Sequence, residues 1–334
     1  MADRVLVTGG NGFVATWCIV RALEQGFDVR TTMRSLGKEP RLRSILAGAV
    51  DAGDRLEVVV ADLTSDAGWA EAVAGCSYVL HVASPMIATR RPEEVIRPAV
   101  EGVDRVLSAA RDGGVRRVVY TSSCGAIYYG HPAQTEPFDE TSWTNLEASN
   151  MSLYVRSKTL AERAAWDFIA AEGGSLELAT VNPTGIFGPA LDPENASSLD
   201  LIRRLLDGSP PATPNLWFGV IDVRDVADLH LRAMTDPDAV GQRYIASSGN
   251  VVSMLDIARV LREQLGTQAA KVPARALPDW LVRLVGRFNT QVGDVVPLLG
   301  QRRNATSVKA QRELGWSARP WRETVVDSAR SLLP

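Results

Sequence analysis

Cysteine and histidine are scarce in this sequence, with three of each among 334 residues. The cysteines are odd in number and widely spaced, and none forms a Cys-x-x-Cys pair: they are Cys18, Cys76 and Cys124. This pattern argues against a disulfide framework and indicates reduced thiols in a cytoplasmic protein. The histidines lie too far apart in the chain to predict a local metal cluster, so no metal is expected.

The sequence also has no excess charge of one sign and no long apolar run. Its formal net charge is −3, so no basic field predicts binding to nucleic acid or to an anionic membrane. No uninterrupted apolar stretch reaches the roughly 18 residues that a membrane span needs. A strand pattern follows residues 1–4 directly and leaves no room for a signal peptide. We therefore expect a cytoplasmic protein without a nucleic-acid or membrane partner.

The first half of the chain alternates short apolar runs with amphipathic segments. The apolar runs predict strands over residues 4–8, 28–33, 56–61, 78–82, 117–121 and 176–181. Apolar residues at helical spacing predict helices over residues 12–26, 92–112 and 152–173. Strands that alternate with helices form a parallel sheet covered on both faces, so the expected fold class is α/β with a doubly wound parallel sheet.

The second half is less regular and rich in proline and glycine. Loops are predicted over residues 182–193 and 208–215, strands over 216–220 and 242–246, and helices over 198–206, 223–234, 253–265 (with Ser253 as N-cap), 277–287, 306–314 and 321–332. The length of 334 residues favours about two domains, and no linker-like composition separates the halves. We expect residues 1–181 to form the first domain, with residues 216–246 returning to it. Residues 182–334 would form mainly a smaller, interleaved substrate-binding lobe.

A glycine-rich stretch, Thr-Gly-Gly-Asn-Gly-Phe-Val-Ala, occupies residues 8–15 between the first strand and the first helix. Gly9 suits a tight turn, and Gly12 allows the backbone to approach a pyrophosphate. The helix N-terminus at Phe13 and Val14 offers free N–H groups to the phosphates. An ordinary glycine-rich turn is the alternative. In its strand–turn–helix context the motif predicts a Rossmann-type dinucleotide-binding domain.

The end of the second strand indicates which dinucleotide binds. NAD sites place a carboxylate there, which accepts a hydrogen bond from the ribose 2′-hydroxyl. This chain has Arg34 instead, with Lys38 close behind. A guanidinium can bind a 2′-phosphate through two hydrogen bonds, so the expected cofactor is NADP(H) rather than NAD. The alternative for Arg34 is a solvated side chain at a strand end, which is also our interpretation of Arg30.

Tyr154 and Lys158 lie four residues apart in a predicted helix, so their side chains share one helix face. An ammonium beside a phenol is expected to lower the pKa of the tyrosine. A tyrosine tuned in this way can exchange a proton with a carbonyl or an alcohol near neutral pH. The alternative is a solvated lysine packed over a tyrosine, because Tyr-x-x-x-Lys also occurs by chance on amphipathic helices.

Further motifs follow in order along the chain. They are Ala-Asp-Leu at 61–63, His-Val-Ala-Ser-Pro-Met at 81–86, Thr-Ser-Ser at 121–123, Tyr-Val-Arg-Ser-Lys at 154–158, Asn-Pro-Thr at 182–184, Asp-Val-Arg-Asp-Val-Ala at 222–227 and Leu-Gly-Trp at 314–316. With the glycine stretch and Arg34, they resemble the extended short-chain dehydrogenase/reductase superfamily over nearly the whole length. Within it, the chain resembles the group of dihydroflavonol reductases, cinnamoyl-CoA reductases and bacterial aldehyde reductases.

The resemblance implies a role for each matching residue. Ser123 would hydrogen-bond the substrate oxygen, Tyr154 would donate the proton, and Lys158 would hold the nicotinamide ribose. Asp62 would bind the adenine amino group with Leu63 beside the ring, and the alternative for Asp62 is a helix N-cap. The other implied cofactor contacts are Val82, Ala83 and Ser84 at the ribose, Thr121 at the end of the fifth strand, and Pro183 and Thr184 at the nicotinamide.

The substrate side departs from the plant members of this group. Dihydroflavonol reductases carry an asparagine shortly after the serine, roughly where this chain has Tyr128, and the thioester signature of the cinnamoyl-CoA enzymes is not evident. We expect neither plant substrate. The loops expected over the nicotinamide supply Met86, Tyr128, Phe187 and Trp217, which suggests an apolar or aromatic carbonyl compound. Core packing is the alternative for each of these side chains.

The expected activity is NADPH-dependent reduction of a hydrophobic or aromatic ketone or aldehyde, reversible, with the proton from Tyr154. The alternative is a sugar-nucleotide epimerase or dehydratase, or a hydroxysteroid-type dehydrogenase, of the same superfamily. The pocket loops show no cluster of arginine and lysine for a sugar nucleotide, although Arg90 and Arg91 lie near. A catalytically dead sensor is disfavoured because Tyr154 and Lys158 are both present. The two long helices could pair across a dimer axis or pack on the sheet, which leaves a monomer or a homodimer.

Overall fold

The computed structural model describes residues 3–85, 89, 91–132, 134–149, 151–209, 211–293 and 295–333. Its strands are β1 (Arg4–Val7), β2 (Asp28–Met33), β3 (Leu56–Val60), β4 (Tyr78–His81), β5 (Arg117–Thr121), β6 (Glu177–Pro183), β7 (Gly185–Phe187), β8 (Trp217–Phe218), β9 (Val220–Asp222), β10 (Arg243–Ala246) and β11 (Val252–Ser253). Its α-helices are α1 (Phe13–Glu24), α2 (Glu39–Ala47), α3 (Trp69–Val73), α4 (Pro92–Asp112), α5 (Leu153–Glu172), α6 (Asp200–Asp207), α7 (Val223–Thr235), α8 (Met254–Leu265), α9 (Asp279–Gly286), α10 (Thr290–Gly293), α11 (Val308–Leu314) and α12 (Trp321–Leu332). Within these residues, no helix is long and apolar enough to cross a membrane.

Seven strands form one parallel sheet in the order β10-β6-β5-β4-β1-β2-β3. The chain winds outward from β1 to β3 and then crosses back to begin β4 on the other side of β1. In such a sheet, ligands bind at the carboxyl ends of the strands where the winding changes direction, here between β1 and β4. The Rossmann-type α/β fold predicted from the sequence is confirmed.

Successive side chains of the central strand pack against helices on opposite faces of the sheet. Val5 and Val7 contribute to a core shared with α1 and α7, whereas Leu6 contributes to a core shared with α4 and α5. All three are fully buried, as a parallel strand covered on both faces requires. Since α4 and α5 also pack on each other, their apolar residues have partners within the chain. A dimer through these helices stays a prediction.

A third core lies in the C-terminal part of the chain. It joins side chains of α6, α8 and α12 with Phe187 of β7 and Val220 of β9. The short strands pair as β7 with β9, parallel, and as β8 with β11, antiparallel. The chain returns to the large sheet between these elements, because α7 packs on α1 and β10 pairs with β6. The domain boundaries proposed from the sequence stay predictions.

Several elements differ from those predicted. The loop predicted over residues 182–193 contains the end of β6 and all of β7. The strand predicted over residues 216–220 is divided into β8 and β9 at Gly219, where a Cβ would lie only 2.7 Å from the Thr184 side chain. Helices α2 and α3 were not predicted, since each is short and buries only two or three residues. The N-cap of α8 is confirmed: Ser253 accepts a hydrogen bond from Asp256 N–H at 3.1 Å.

Arg30 is not a solvated side chain, so that interpretation is wrong. It is 7% exposed in the middle of β2, and its guanidinium pairs with Glu57 of β3 at 2.8 Å. The same side chain donates to the backbone carbonyls of Glu71 and Ala74, at 2.9 and 2.7 Å. Arg30 therefore joins β2, β3 and the end of α3, and tertiary contacts determine its burial.

Buried polar side chains connect the sheet to α5. Glu162 is fully buried, and its carboxylate accepts hydrogen bonds from Ser122, from Asn182 at 2.7 Å and from Arg243 at 2.6 Å. Arg243 is itself 8% exposed and lies 3.8 Å above the ring of Trp143. These partners of Glu162 follow β5 or belong to β6 and β10. One carboxylate thus holds one helix against three strands of the sheet.

Glu162→Ala is expected to lower the free energy of unfolding by about 3–5 kcal/mol, because the Arg243 guanidinium would stay buried without its carboxylate. Urea denaturation at pH 7 measures this loss. The control is Glu101→Ala, which removes an exposed carboxylate that pairs with Arg97 and Arg105 on α4. The control should lose about 1 kcal/mol or less. Equal losses for the two variants would show that the buried pair contributes no more than a surface pair.

Candidate active site

The glycine stretch forms a tight turn between β1 and α1. Gly9 has a φ of +75°, and a Cβ there would lie 3.0 Å from the Cβ of Ala83. Gly12 donates its N–H to the Gly9 carbonyl at 2.8 Å and is the N-cap of α1. The first turn of α1 has no capping side chain and no acidic residue. The N–H groups at Phe13 and Val14 are therefore available to phosphate oxygens.

Sequence reasoning did not single out two residues of this turn. Gly10 packs against β2, where a Cβ would lie 2.3 Å from the hydroxyl oxygen of Thr31. Thr8 is fully buried, and its hydroxyl accepts hydrogen bonds from the N–H groups of Val82 and Ala83 at 3.0 and 2.9 Å. Thr8 thus joins the ends of β1 and β4 where the winding changes direction. Both residues belong to the glycine-rich stretch at residues 8–15, which was the signal for them.

Two cationic side chains follow the end of β2. Arg34 and Lys38 are exposed, and neither forms a hydrogen bond or an ion pair with another residue that the structure describes. Their position at the carboxyl edge of the sheet is the one that the sequence predicted for a 2′-phosphate site. Both charges are free to bind an anion.

The residues after β3 and β4 complete the same edge. The Asp62 carboxylate accepts hydrogen bonds from the N–H and the hydroxyl of Thr64, both at 2.8 Å, and so closes a turn and does not cap a helix. Leu63 packs against α4 so closely that a Cβ at Gly102 would lie 3.1 Å from the Leu63 Cβ. Three half-buried residues follow β4: Val82, Ala83 and Ser84.

Lys158 lies on the second turn of α5 and is only 6% exposed. Its ammonium donates to the backbone carbonyl of Thr121 at 3.2 Å. Burial lowers the pKa of Lys158 to about 8, and Glu162, one turn further along α5, raises it in part. Burial, assisted by the charge of Lys158, lowers the pKa of His81 to about 3. His81 is therefore neutral, and Lys158 carries the positive charge in this part of the site.

Tyr154 lies one turn before Lys158, near the N-terminus of α5. The Ser123 hydroxyl accepts a hydrogen bond from the N–H of Gly125 at 2.9 Å. Burial raises the pKa of Tyr154, and the Ser123 hydroxyl lowers it in part. Because 48% of Tyr154 is exposed, we expect this rise to be modest. A Cβ at Gly125 would lie 3.2 Å from the Ser123 hydroxyl oxygen and 3.7 Å from the side chain of Val155, so the start of α5 lies beside Ser123.

The predicted lowering of the Tyr154 pKa by Lys158 is wrong for this structure, in which the pKa is raised. The Lys158 ammonium is bound to the end of β5 through Thr121, whereas burial and Ser123 set the pKa of the phenol. Shared helix spacing brought the two residues to one face without bringing the charge to the phenol. Tyr154 therefore keeps its proton at neutral pH, as a proton donor must.

The last predicted cofactor contacts lie at the ends of β5 and β6. The Thr121 hydroxyl is hydrogen-bonded to Nε2 of His230 at 2.7 Å, and burial lowers the pKa of His230 to about 4. Thr184 is buried and donates its N–H to the Ala246 carbonyl at 3.0 Å, and Pro183 beside it is also buried. These residues border the same edge of the sheet as Lys158.

The predicted substrate residues are placed differently from one another. Phe187 is 4% exposed within the third core, so the structure gives it a packing role in place of the predicted substrate contact. Tyr128 is 9% exposed, with its ring centre 5.1 Å from that of Tyr129. Trp217 is half-buried. Met86 lies outside the described residues.

Residues 5–246 match the NAD dependent epimerase/dehydratase family. The chain belongs to this family. It is 35% identical to "Tetraketide alpha-pyrone reductase 1" of Arabidopsis thaliana over 292 residues, which cover 84% of this chain and 85% of that protein. It is 36% identical to "Dihydroflavonol 4-reductase" of Zea mays over 272 residues, or 78% of this chain and 74% of that protein.

A solved structure is similar over the full length. It is yeast methylglyoxal/isovaleraldehyde reductase Gre2 complexed with NADPH, with a TM-score of 0.81, 28% sequence identity, and coverage of 99% of this chain and 98% of that chain. The predicted extended short-chain dehydrogenase/reductase superfamily, and the predicted group within it, are confirmed by these similarities.

The low pKa of Lys158 predicts how stability depends on pH. Between about 8 and 10.5 the unfolded chain holds the Lys158 proton and the folded chain does not, so stability rises with pH across this window. From pH 7 to pH 9.5, the free energy of unfolding of the wild type should increase by about 2 kcal/mol relative to Lys158→Met. Urea denaturation of both proteins at the two pH values measures the difference. Parallel pH profiles would show that the buried ammonium is not destabilised.

Proposed function

We propose that this chain reduces a hydrophobic or aromatic ketone or aldehyde to the alcohol, with hydride from NADPH and a proton from Tyr154, and that it also catalyses the reverse reaction. The observation that carries this proposal is the position of Tyr154 at the start of α5, beside the Ser123 segment, with Lys158 buried one turn further along the helix. The relatives named as reductases and the Gre2 complex with NADPH support it.

The chain is an oxidoreductase that uses NADP(H), and its residues at the carboxyl edge of the sheet fit that cofactor. A side chain at Gly9 would clash with Ala83, and because glycine has none, the turn is open to a phosphate. Helix α1 offers its uncapped N–H groups at Phe13 and Val14 to the same phosphate. Arg34 and Lys38 would bind the 2′-phosphate because both lack a partner in the described part of the chain. We assign the remaining contacts as in the sequence: Asp62 and Leu63 to the adenine, Val82, Ala83 and Ser84 to the ribose, and Thr121, Pro183 and Thr184 near the nicotinamide.

Tyr154 acts as the general acid. When bound, NADPH supplies the hydride that adds to the carbonyl carbon. Ser123 positions the carbonyl oxygen, and the Tyr154 hydroxyl transfers its proton to that oxygen, so the product is the alcohol. A raised pKa keeps Tyr154 protonated before this step, and its exposed surface lets water return the proton afterwards.

Lys158 has a different part in the proposal. Its ammonium is fixed at the end of β5 by the Thr121 carbonyl. From there this positive charge would hold the nicotinamide ribose. Because water is largely excluded around Lys158, this charge acts more strongly than an exposed lysine would.

The epimerase alternative is not proposed. Similarity to the UDP-glucose 4-epimerase of Thermotoga maritima is 20% in sequence, which supports a common fold and no more. Arg34 also stands where an NAD site requires a carboxylate. The cytoplasmic location and the choice between monomer and homodimer stay predictions.

Tyr154→Phe should lower kcat by about 100- to 10,000-fold, because the variant has no hydroxyl proton to transfer. Affinity for NADPH, measured by cofactor fluorescence, should stay within a few-fold. The matched control is Tyr244→Phe, which removes a buried hydroxyl that is bound to Glu313. The rate is measured as NADPH oxidation with a panel of aromatic and aliphatic ketones and aldehydes. A Tyr154→Phe variant that keeps most of its rate would refute the catalytic assignment.

Arg34→Glu should raise the Kd for NADPH at least about 10-fold, because a guanidinium that binds the 2′-phosphate is replaced by a repelling carboxylate. Affinity for NADH should stay the same or improve, since the carboxylate can accept from the 2′-hydroxyl. Titration of both cofactors measures the ratio. The control is Arg97→Glu on α4, an arginine whose side chain is 75% exposed. Equal changes for NADPH and NADH would remove Arg34 from the phosphate site.

A further inference from the structure

Residues 300–306 form a strap between the segment at Asn215 and the segment at Phe138. At one end, the N–H of Gly300 donates to the carbonyl of Asn215 at 2.8 Å. At the other end, the carbonyl of Asn304 accepts from the N–H of Phe138 at 2.9 Å. The 300–306 strap is therefore fixed at both ends by backbone hydrogen bonds.

Two consecutive arginines of the 300–306 strap stack on aromatic rings. The guanidinium carbon of Arg302 lies 3.7 Å from the ring centre of Trp217, and that of Arg303 lies 4.7 Å from the ring centre of Tyr129. A guanidinium that stacks face-on keeps its N–H groups in the plane, where they can still donate to an anion.

These two charges have no acidic partner in the part of the chain that the structure describes. Arg303 donates to the amide oxygen of the exposed Gln301 at 2.8 Å, and neither arginine forms an ion pair there. Most arginines around the sheet pair with carboxylates, as Arg30 does with Glu57. The strap thus presents two neighbouring guanidinium groups without a carboxylate partner among the described residues.

One of the two charges lies near the segment that follows Ser123. Burial raises the pKa of Tyr128 well above its usual value, and among the smaller influences Arg303 lowers it while Tyr154 raises it. Burial also raises the pKa of Tyr129, which lies under the Arg303 guanidinium, and the same two groups make smaller contributions to it. Tyr128 packs with Cys124, the residue after Ser123, and with Ala305 of the strap in one buried cluster, and Tyr129 packs against that cluster. Arg303 is therefore joined to the segment that carries Ser123 through Tyr129 and Tyr128.

The other charge is close to the proposed nicotinamide contact. Trp217, under Arg302, lies two residues before Gly219. Gly219 accepts a hydrogen bond from Gly185 N–H at 2.9 Å, and a Cβ there would touch the Thr184 side chain at 2.7 Å. Arg302 is thus joined to the segment at Thr184 and Arg303 to the segment after Ser123, and these two segments border the proposed reaction site.

We propose that Arg302 and Arg303 bind an anionic oxygen group, a carboxylate or a phosphate, at the end of the substrate opposite its reacting carbonyl. The substrate would then be a carbonyl compound with an apolar or aromatic body, which contacts Trp217 and Tyr129, and an anionic end. This inference rests on the proposed reductase function and names the substrate class of the same site. The pocket loops predicted from the sequence contain no cluster of arginine and lysine, because the 300–306 strap is distant from them in the chain.

The test compares keto acids with their own methyl esters in NADPH oxidation assays. The acids are phenylglyoxylate, 3-benzoylpropionate and 4-acetylbenzoate, which separate the carboxylate from the ketone by increasing distances, and 4-acetylphenyl phosphate represents the phosphate source. For the wild type, kcat/KM of the best anionic substrate should exceed that of its neutral counterpart by at least about 10-fold. For 4-acetylphenyl phosphate the neutral counterpart is 4-methoxyacetophenone.

In the Arg302→Gln, Arg303→Gln double variant this ratio should fall to about 1, and high salt should reduce it in the wild type. A general loss of activity cancels in the ratio. The control variant is Arg204→Gln, which changes an exposed arginine on α6 and should keep the preference.

The outcomes separate the two proposals. A phosphate preference without a carboxylate preference, or the reverse, identifies the source of the anion. Neutral ketones reduced as well as every anionic one, or a preference that survives in the double variant, would overturn the anion site and leave the reductase standing. No Tyr154-dependent reduction of any compound would overturn the reductase, and the anion site with it.

Discussion

The arrangement of the site depends on one buried carboxylate, that of Glu162. It accepts hydrogen bonds from Ser122 after β5, Asn182 in β6 and Arg243 in β10, and all of these groups are excluded from water. Two of these partners are next to residues of the proposed site, since Ser122 precedes Ser123 and Asn182 precedes Pro183. Glu162 itself follows Lys158 by one helical turn. A shift of α5 would break charge-assisted bonds in a low-dielectric environment, which is strongly unfavourable. The relative positions of acid, serine and lysine are therefore set together.

The electrostatics of the site follow from burial as much as from charge. Burial keeps the imidazoles of His81 and His230 neutral at physiological pH, because it lowers the pKa of each. Burial also lowers the pKa of Lys158, to about 8, so this side chain is still mostly protonated at neutral pH. Burial raises the pKa of Tyr154, which therefore holds its proton. A site that contains a protonated phenol and one confined ammonium is suited to accept negative charge on a carbonyl oxygen.

Local patterns were sufficient for much of this. The glycine turn, the strands of the large sheet, the long helices α4 and α5 and the N-cap at Ser253 follow from spacing and residue type within a few neighbouring positions. What failed depends on contacts between distant segments. Arg30 is buried by Glu57 and α3, and Phe187 by helices that follow it. The Lys158 ammonium is hydrogen-bonded to Thr121 and not to the phenol. Arg302 contacts Trp217 although the two residues are 85 positions apart in the chain. No sequence window contains both partners of such contacts.

β10 is the last strand of the large sheet to be synthesised. Six of the seven strands of the sheet are complete by Pro183. Arg243, the charged partner of Glu162, lies in the seventh strand, 81 residues after Glu162 in the chain. During synthesis, α5 and the glycine turn emerge while the seventh strand is still inside the ribosome. The unpaired carboxylate cannot be buried without a large penalty until that strand arrives. The edge of the sheet at the glycine turn can therefore form early, but α5 reaches its final position only after β10 has paired with β6.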